Sequence, residues 1–172
     1  MKKNLVKFSC LFVGVVMIIW WIANHWKIAD NIDIHSHSFI YQQQGDFHRE
    51  AKTALTGSYN FKRKQFEGKL SIDELTFPNV LFTSGVVLVS WGKERDLLGV
   101  IYFDNKTKRY AMEITDEKIY EKLTGLKYAD SPLIISSPAS SLEEAKNIHD
   151  DLVRNDMKMR YPRIQNPQNQ NK

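Results

Sequence analysis

The hydrophobic pattern divides the chain into one long apolar run followed by many short alternating ones. From Phe8 to Ala23 it reads FSCLFVGVVMIIWWIA, 16 residues without a charge. Extended to Leu5 and Trp26, the segment would form a helix about 33 Å long, at about 1.5 Å per residue, against a hydrocarbon core of about 30 Å. After a polar stretch, Phe47, Ala51 and Leu55 recur at helical spacing in FHREAKTALTG, and Gly57 is a suitable stop. This spacing predicts a short helix.

From Gly57 the period becomes two. Tyr59 and Phe61 alternate with polar residues up to the turn Lys62-Arg63-Lys64-Gln65. Beyond it Phe66, Gly68, Leu70 and Ile72 alternate with Glu67, Lys69, Ser71 and Asp73. The pattern is that of a hairpin with one buried and one wet face. Val80-Leu81-Phe82 and Val86-Val87-Leu88-Val89 predict more deeply buried strands. Leu97 to Phe103 adds another, joined through residues 104–108 to Tyr110, Met112 and Ile114. Short strands with short turns imply an antiparallel meander. Thr115 followed by Asp116 and Glu117 suits the start of a short helix ending at Gly125, and Pro132–Ser136 suits a last strand. Ser141 and Glu144 have capping-box spacing, with Leu142, Ala145, Ile148 and Leu152 on one face of the helix that follows. Residues 160–172 contain two prolines and many Gln and Asn, and are expected to be a disordered tail.

Charge sharpens the reading of the first segment. Lys2, Lys3 and Lys7 precede the apolar run, while Trp20, Trp21 and Trp26 cluster at its far end, as membrane-interface anchors would. The expectation is therefore a single-pass signal-anchor with a cytoplasmic N-terminus (1–7), a transmembrane helix (8–26) and a connector (27–45). An α+β extracytoplasmic domain (46–159) would follow, with an antiparallel β-meander and a C-terminal amphipathic helix. Cleavage is disfavoured because the best candidate site, Trp21-Ile22-Ala23, carries a bulky Trp at its −3 position. The net charge of +4 resides in the N-terminal lysines and Lys27, so the rest of the chain is formally neutral and nucleic acid is not an expected partner. The single cysteine, Cys10, excludes intrachain disulfides and cysteine-based zinc sites.

The chain offers little for catalysis. Asp33-Ile34-His35-Ser36-His37 resembles the D-x-H-x-H that opens the metal site of amidohydrolase and PHP-type metallohydrolases. On a strand these three side chains would share one face. The resemblance covers five positions only, and those enzymes are built on larger α/β barrels with further ligands. Here the later histidines are His48 and His149 alone, so the stretch is expected to be a solvated connector strand. Nucleotide-binding glycine motifs and the nucleophile-elbow and S-x-x-K patterns do not occur.

Two basic turns stand out, Lys62-Arg63-Lys64 and Lys106/Lys108/Arg109. They are candidates for contact with an anionic surface. Tyr59, Phe61, Phe66, Tyr102 and Tyr110 fall at core-facing positions and are assigned to packing. The overall plan is similar in type to small bacterial envelope proteins. The expected function is a binding or interaction module for a protein or envelope polymer, beside the bilayer and without a cofactor. The alternative is a membrane-anchored hydrolase or metal-dependent enzyme using Asp33, His35 and His37.

Overall fold

The computed structural model describes residues 14–17, 20, 29–91, 95–128 and 131–160. Its centre is a closed antiparallel barrel in which sequence order and spatial order coincide. The strands are β1 (Ala29–Gln42), β2 (His48–Asn60), β3 (Gln65–Ile72), β4 (Leu75–Thr83), β5 (Val87–Trp91), β6 (Arg95–Asp104), β7 (Arg109–Ile114) and β8 (Leu133–Ser137). Helix α1 (Glu117–Thr124) lies between β7 and β8, and α2 (Leu142–Arg160) follows β8. Closure comes from β8 pairing with β1, with Phe39 opposite Ser136 and Gln42 opposite Leu133.

Alternation puts apolar side chains inside. Ile32 and Ile40 of β1, Leu55 of β2, Phe66 and Leu70 of β3 and Phe82 of β4 are all buried in one core. Asp33, His35, His37 and Lys52 point outward and are exposed. This is the reverse of a barrel that presents apolar side chains to lipid. Gly57 and Gly68 face each other across β2 and β3. A β-carbon on Gly68 would stand 2.2 Å from the Thr56 carbonyl oxygen and 2.8 Å from Phe66 Cζ. The Phe66 ring takes that space and stacks on Phe82 at 4.7 Å between centroids. The waist of the barrel is thus filled by side chains, as expected for a barrel of this strand number.

One end is plugged. Asp116 caps α1 by accepting from the Ile119 amide at 2.9 Å, and Gly125 ends it in the left-handed conformation at φ 69°. Ile119, Tyr120 and Leu123 of α1 join the interior core. The Arg49 guanidinium holds the plug, donating to the Leu123 carbonyl and at 2.7 Å to Asp73 in the β3–β4 turn.

Helix α2 crosses the outside. Phe39, Tyr41, Ala111 and Ile134 project outward from β1, β7 and β8 and pack against Ala145, Ile148 and Leu152. Ser141 accepts from the Glu144 amide at 3.2 Å. The Glu144 carboxylate reaches back to the amide and hydroxyl of Ser140, one residue before the partner a standard capping box would use. At its far end Arg160 bonds Asp156 and donates to the Ser84 carbonyl at 2.7 Å, tying the last turn of α2 to the β4–β5 turn.

Several expectations are corrected. The domain is a closed β-barrel with few helices, not an α+β fold behind a transmembrane helix. Among the described residues no helix is long and apolar enough to cross a membrane, so the single-pass anchor, its signal-anchor character and the cytoplasmic N-terminus are not supported. Of the segment 8–26, residues 14–17 and Trp20 are described, in helical conformation; Lys2, Lys3, Lys7, Trp21 and Trp26 lie outside the described residues, as does the tail beyond Arg160. The predicted helix over residues 47–55 is β2 instead. A spacing of four is even, so Ala51 and Leu55 also share one face of a strand, with Thr53 between them and Tyr59 beyond. Residues 29–42, read as part of a connector, form β1, whose inward set includes Ser36 and Ser38 and so lacks a plain apolar alternation. The cap of α1 is Asp116 rather than Thr115.

Candidate functional site

The end of the barrel opposite α1 carries the β2–β3 turn (61–64), the β4–β5 turn (84–86) and the β6–β7 turn (105–108). Each is shaped by its own residues. Asn60 Oδ1 accepts from the Arg63 amide at 3.0 Å, and Lys64 takes a φ of 52°. Gly85, at φ 67°, donates to the Ile101 carbonyl at 2.6 Å. Asp104 accepts from the Lys106 amide at 2.9 Å and from the Thr107 hydroxyl at 2.6 Å. Such side-chain-to-backbone bonds hold the turns in defined positions.

Between these turns and the last turn of α2 lies an open cavity of about 490 Å³. Its apolar surface comes from Tyr59, Phe61, Val86, Phe103 and Met159, and its polar rim includes Lys64, Lys106 and Arg160. Tyr59 sets the geometry of the wall, standing edge-on to Phe61 at 5.6 Å and tilted against Phe103 at 5.4 Å. Burial raises the Tyr59 hydroxyl above its ordinary pKa, so it stays neutral there. Phe61, Val86 and Met159 leave much of their surface to solvent, at 40%, 44% and 70% exposure.

The electrostatics of the rim are one-sided. The two basic turns singled out in the sequence are separated by more than forty residues, yet Lys62, Arg63, Lys64, Lys106, Lys108 and Arg109 all stand at this end. The carboxylates nearby are already engaged. Asp156 pairs with Arg160 at 2.5 Å, and Asp30 accepts from Lys108 at 3.2 Å. Partial burial would raise the Asp104 pKa, but hydrogen bonds from Thr107 and from the Lys106 and Thr107 amides, with Arg109 nearby, bring it below the usual carboxylate range. Asp104 therefore spends its oxygens on its own turn. The Lys64 and Lys106 ammonium groups have no acidic partner among the described residues.

The other sequence candidates do not converge. Asp33, His35 and His37 share the outer face of β1 as alternation requires, and Asp33 Oδ1 bonds His35 Nε2 at 3.1 Å. All three are exposed, and among the described residues no group of three or more His, Cys, Asp or Glu side chains could hold a metal ion. A separate hydroxyl cluster lies within the barrel wall between β1, β2, β7 and β8. Thr53 Oγ1 bonds the Tyr110 hydroxyl at 2.5 Å and Ser38 Oγ at 2.6 Å, while Ser36 bonds Ser137. Burial pushes the Tyr110 hydroxyl up despite its hydrogen bonds to Ser137, Thr53, Ser36 and Ser38. A neutral, fully enclosed phenol is the opposite of an activated nucleophile, so the cluster is structural.

The two basic stretches lie at hairpin turns, as their composition suggests, while the cavity between them leaves no local mark in the sequence. Tyr59 is buried as expected of a packing residue, whereas Phe61 sits in the turn at the cavity edge. Val86, Phe103, Met159 and Arg160 come from three further segments, and nothing local marks them as neighbours. No family model, curated protein or solved structure matches the chain.

Proposed function

We propose that the protein is a non-enzymatic binding module whose ligand site is the open mouth of its barrel. The observation carrying this reading is the contrast between the two ends. One is plugged by Ile119, Tyr120 and Leu123 of α1. The other keeps a concave cavity of about 490 Å³ with Tyr59, Phe61, Val86 and Phe103 facing it. That volume lies within the range of about 300–1,000 Å³ common to small-molecule sites, which are mainly apolar with a few placed polar groups. The waist below is filled by Phe66 and Phe82, so a ligand would rest in the mouth rather than thread the barrel. Concavity favours a small ligand over the protein or envelope-polymer partner expected from sequence, since a broad partner would meet only the rim.

Nile red, a neutral dye that brightens in apolar surroundings, tests the site. Binding to the full chain should be saturable and should weaken about tenfold or more in Phe61→Asp, which puts a carboxylate on the apolar wall. Phe61 lies in a turn and is largely outside the core, so this variant should fold. Dye binding indifferent to Phe61→Asp, or no binding at all, would overturn the proposal.

A further inference from the structure

We infer that the mouth selects an anionic amphiphile of low molecular weight: an apolar chain or ring lies on Phe61, Val86 and Phe103, and its carboxylate or phosphate sits between Lys64 and Lys106. This rests on the mouth being the ligand site and adds the charge and shape of what it holds.

The apolar half of the inference follows from the lining. Phe61 and Val86 keep 40% and 44% of their surface in water although Tyr59 and Phe103 behind them are nearly enclosed. Covering such side chains contributes about 25 cal/mol per Å² of apolar area removed from water. The charged half follows from the state of each ionic group on the rim. Arg160 is neutralised by Asp156 and Lys108 by Asp30. Asp104 is bonded to Lys106 N and Thr107 Oγ1 within its own turn. Lys64 and Lys106, which line the cavity from two different turns, are left without a carboxylate among the described residues.

Lysine carries a compact charge on a long apolar stem, so both stems can lie along the cavity wall while the ammonium groups meet an anion at the water boundary. Both turns are held by side-chain-to-backbone bonds from Asn60 and Asp104, which limits the ordering cost on binding. A neutral amphiphile would leave these two charges unused. A cationic one would be repelled by them. A flat anionic polymer would engage the rim and leave the apolar wall exposed.

The test is isothermal titration calorimetry of the full chain with decanoate, decanol and decylammonium, each below its aggregation threshold, at low and high salt. Decanoate should bind with one-to-one stoichiometry, at least about tenfold tighter than decanol, and decylammonium weakest. The preference for decanoate should shrink at high salt, because the rim is solvent-exposed. In Lys64→Glu/Lys106→Glu the preference should vanish while decanol affinity is retained. Since both lysines are on surface turns, circular dichroism should confirm an unchanged fold.

Equal affinity for decanoate and decanol would overturn the charge selection and leave the mouth standing as an apolar site. Absence of binding by any of the three would overturn both readings. Decanoate binding unchanged by the double substitution would place the amphiphile elsewhere on the chain, such as the apolar run 8–23, and would also overturn the inference. Lysine-dependent capture of polyglutamate or of anionic phospholipid vesicles without decanoate binding would do the same, recasting the rim as a contact for extended anions.

Discussion

The hydroxyl cluster in the barrel wall makes a quantitative prediction about coupling. Thr53 Oγ1 lies 2.5 Å from the Tyr110 hydroxyl and 2.6 Å from Ser38 Oγ, and all three residues are buried. Tyr110→Phe removes the hydroxyl that bonds Thr53, Ser137, Ser36 and Ser38, at least about 1 kcal/mol net, and takes from Thr53 one of its two partners in a place water cannot reach, about 1 kcal/mol more. Thr53→Val takes one buried partner from Tyr110 and one from Ser38 together, so it should cost about 2–3 kcal/mol. In the double variant the hydroxyl that loses a partner through one change has itself been removed by the other. The double cost should therefore fall short of the sum by about 1 kcal/mol or more, within the usual coupling for directly bonded pairs. Each single change should lower Tm by roughly 4–12 °C, at about 2–4 °C per kcal/mol for a domain of this size. Urea unfolding of the four proteins, followed by far-ultraviolet circular dichroism at constant m-value, measures the cycle. Additivity within about 0.3 kcal/mol would refute the reasoning, because independent sites, and not one shared network, behave that way.

Alkaline pH should act through the tyrosines. Burial, with Asp150 adding to it, pushes Tyr41 from 10.0 up to about 12, and burial also raises Tyr110, Tyr59 and Tyr102. A folded pKa above the unfolded one means the native state binds more protons in that window. The stability Tyr41 contributes is thus fully present below pH 10 and lost as pH rises toward 12, the other three acting in the same direction, and Tyr41→Phe should flatten the slope of stability against pH there. Gly85→Ala should lower stability by about 1–3 kcal/mol, since the residue takes φ 67° and its β-carbon would stand 2.2 Å from the Asp156 carboxylate; thermal melting measures it, and a neutral result would mean α2 does not rest on the β4–β5 turn. Ile148→Ala, which opens a hole between α2 and the barrel where Ile148 is 5% exposed, should cost about 2–4 kcal/mol by the same measurement. Zinc should give no saturable binding that His35→Gln/His37→Gln abolishes, because both imidazoles stand exposed on one strand face without a third convergent ligand among the described residues; calorimetric zinc titration of the two proteins checks it.

The strands from Tyr59 onward were legible because their signals are local. Phe66, Leu70 and Ile72 alternate with polar residues, and basic or Asp/Asn-containing turns separate the runs. Helix α2 was legible for the same reason, its buried Ala145, Ile148 and Leu152 falling on one face. Two strands escaped. In β1 the inward positions include Ser36 and Ser38, which bond other hydroxyls across the barrel, so they read as solvent-facing. In β2 the four-residue spacing of Ala51 and Leu55 fits a helix as well as a strand, and pairing with β1 and β3 along the whole of β2 decided between them.

What the sequence determined by itself is therefore the alternation from Tyr59 through β3 to β7, the turn chemistry between them, the amphipathic face of α2 and the placement of six cationic side chains at or beside two turns. These depend on residues a few positions apart. Only the tertiary structure decided that β8 returns to β1 and closes the sheet, through pairs such as Ile40 with Ile135. Closure brings the two basic turns to one end, sends α1 into the other, and lays the last turn of α2 beside Val86 and Phe103. The physical reason is that a ladder hydrogen bond between residues ninety-five positions apart leaves no period in the chain. It pairs generic backbone groups, and it is selected by the burial of both faces at once rather than by any motif.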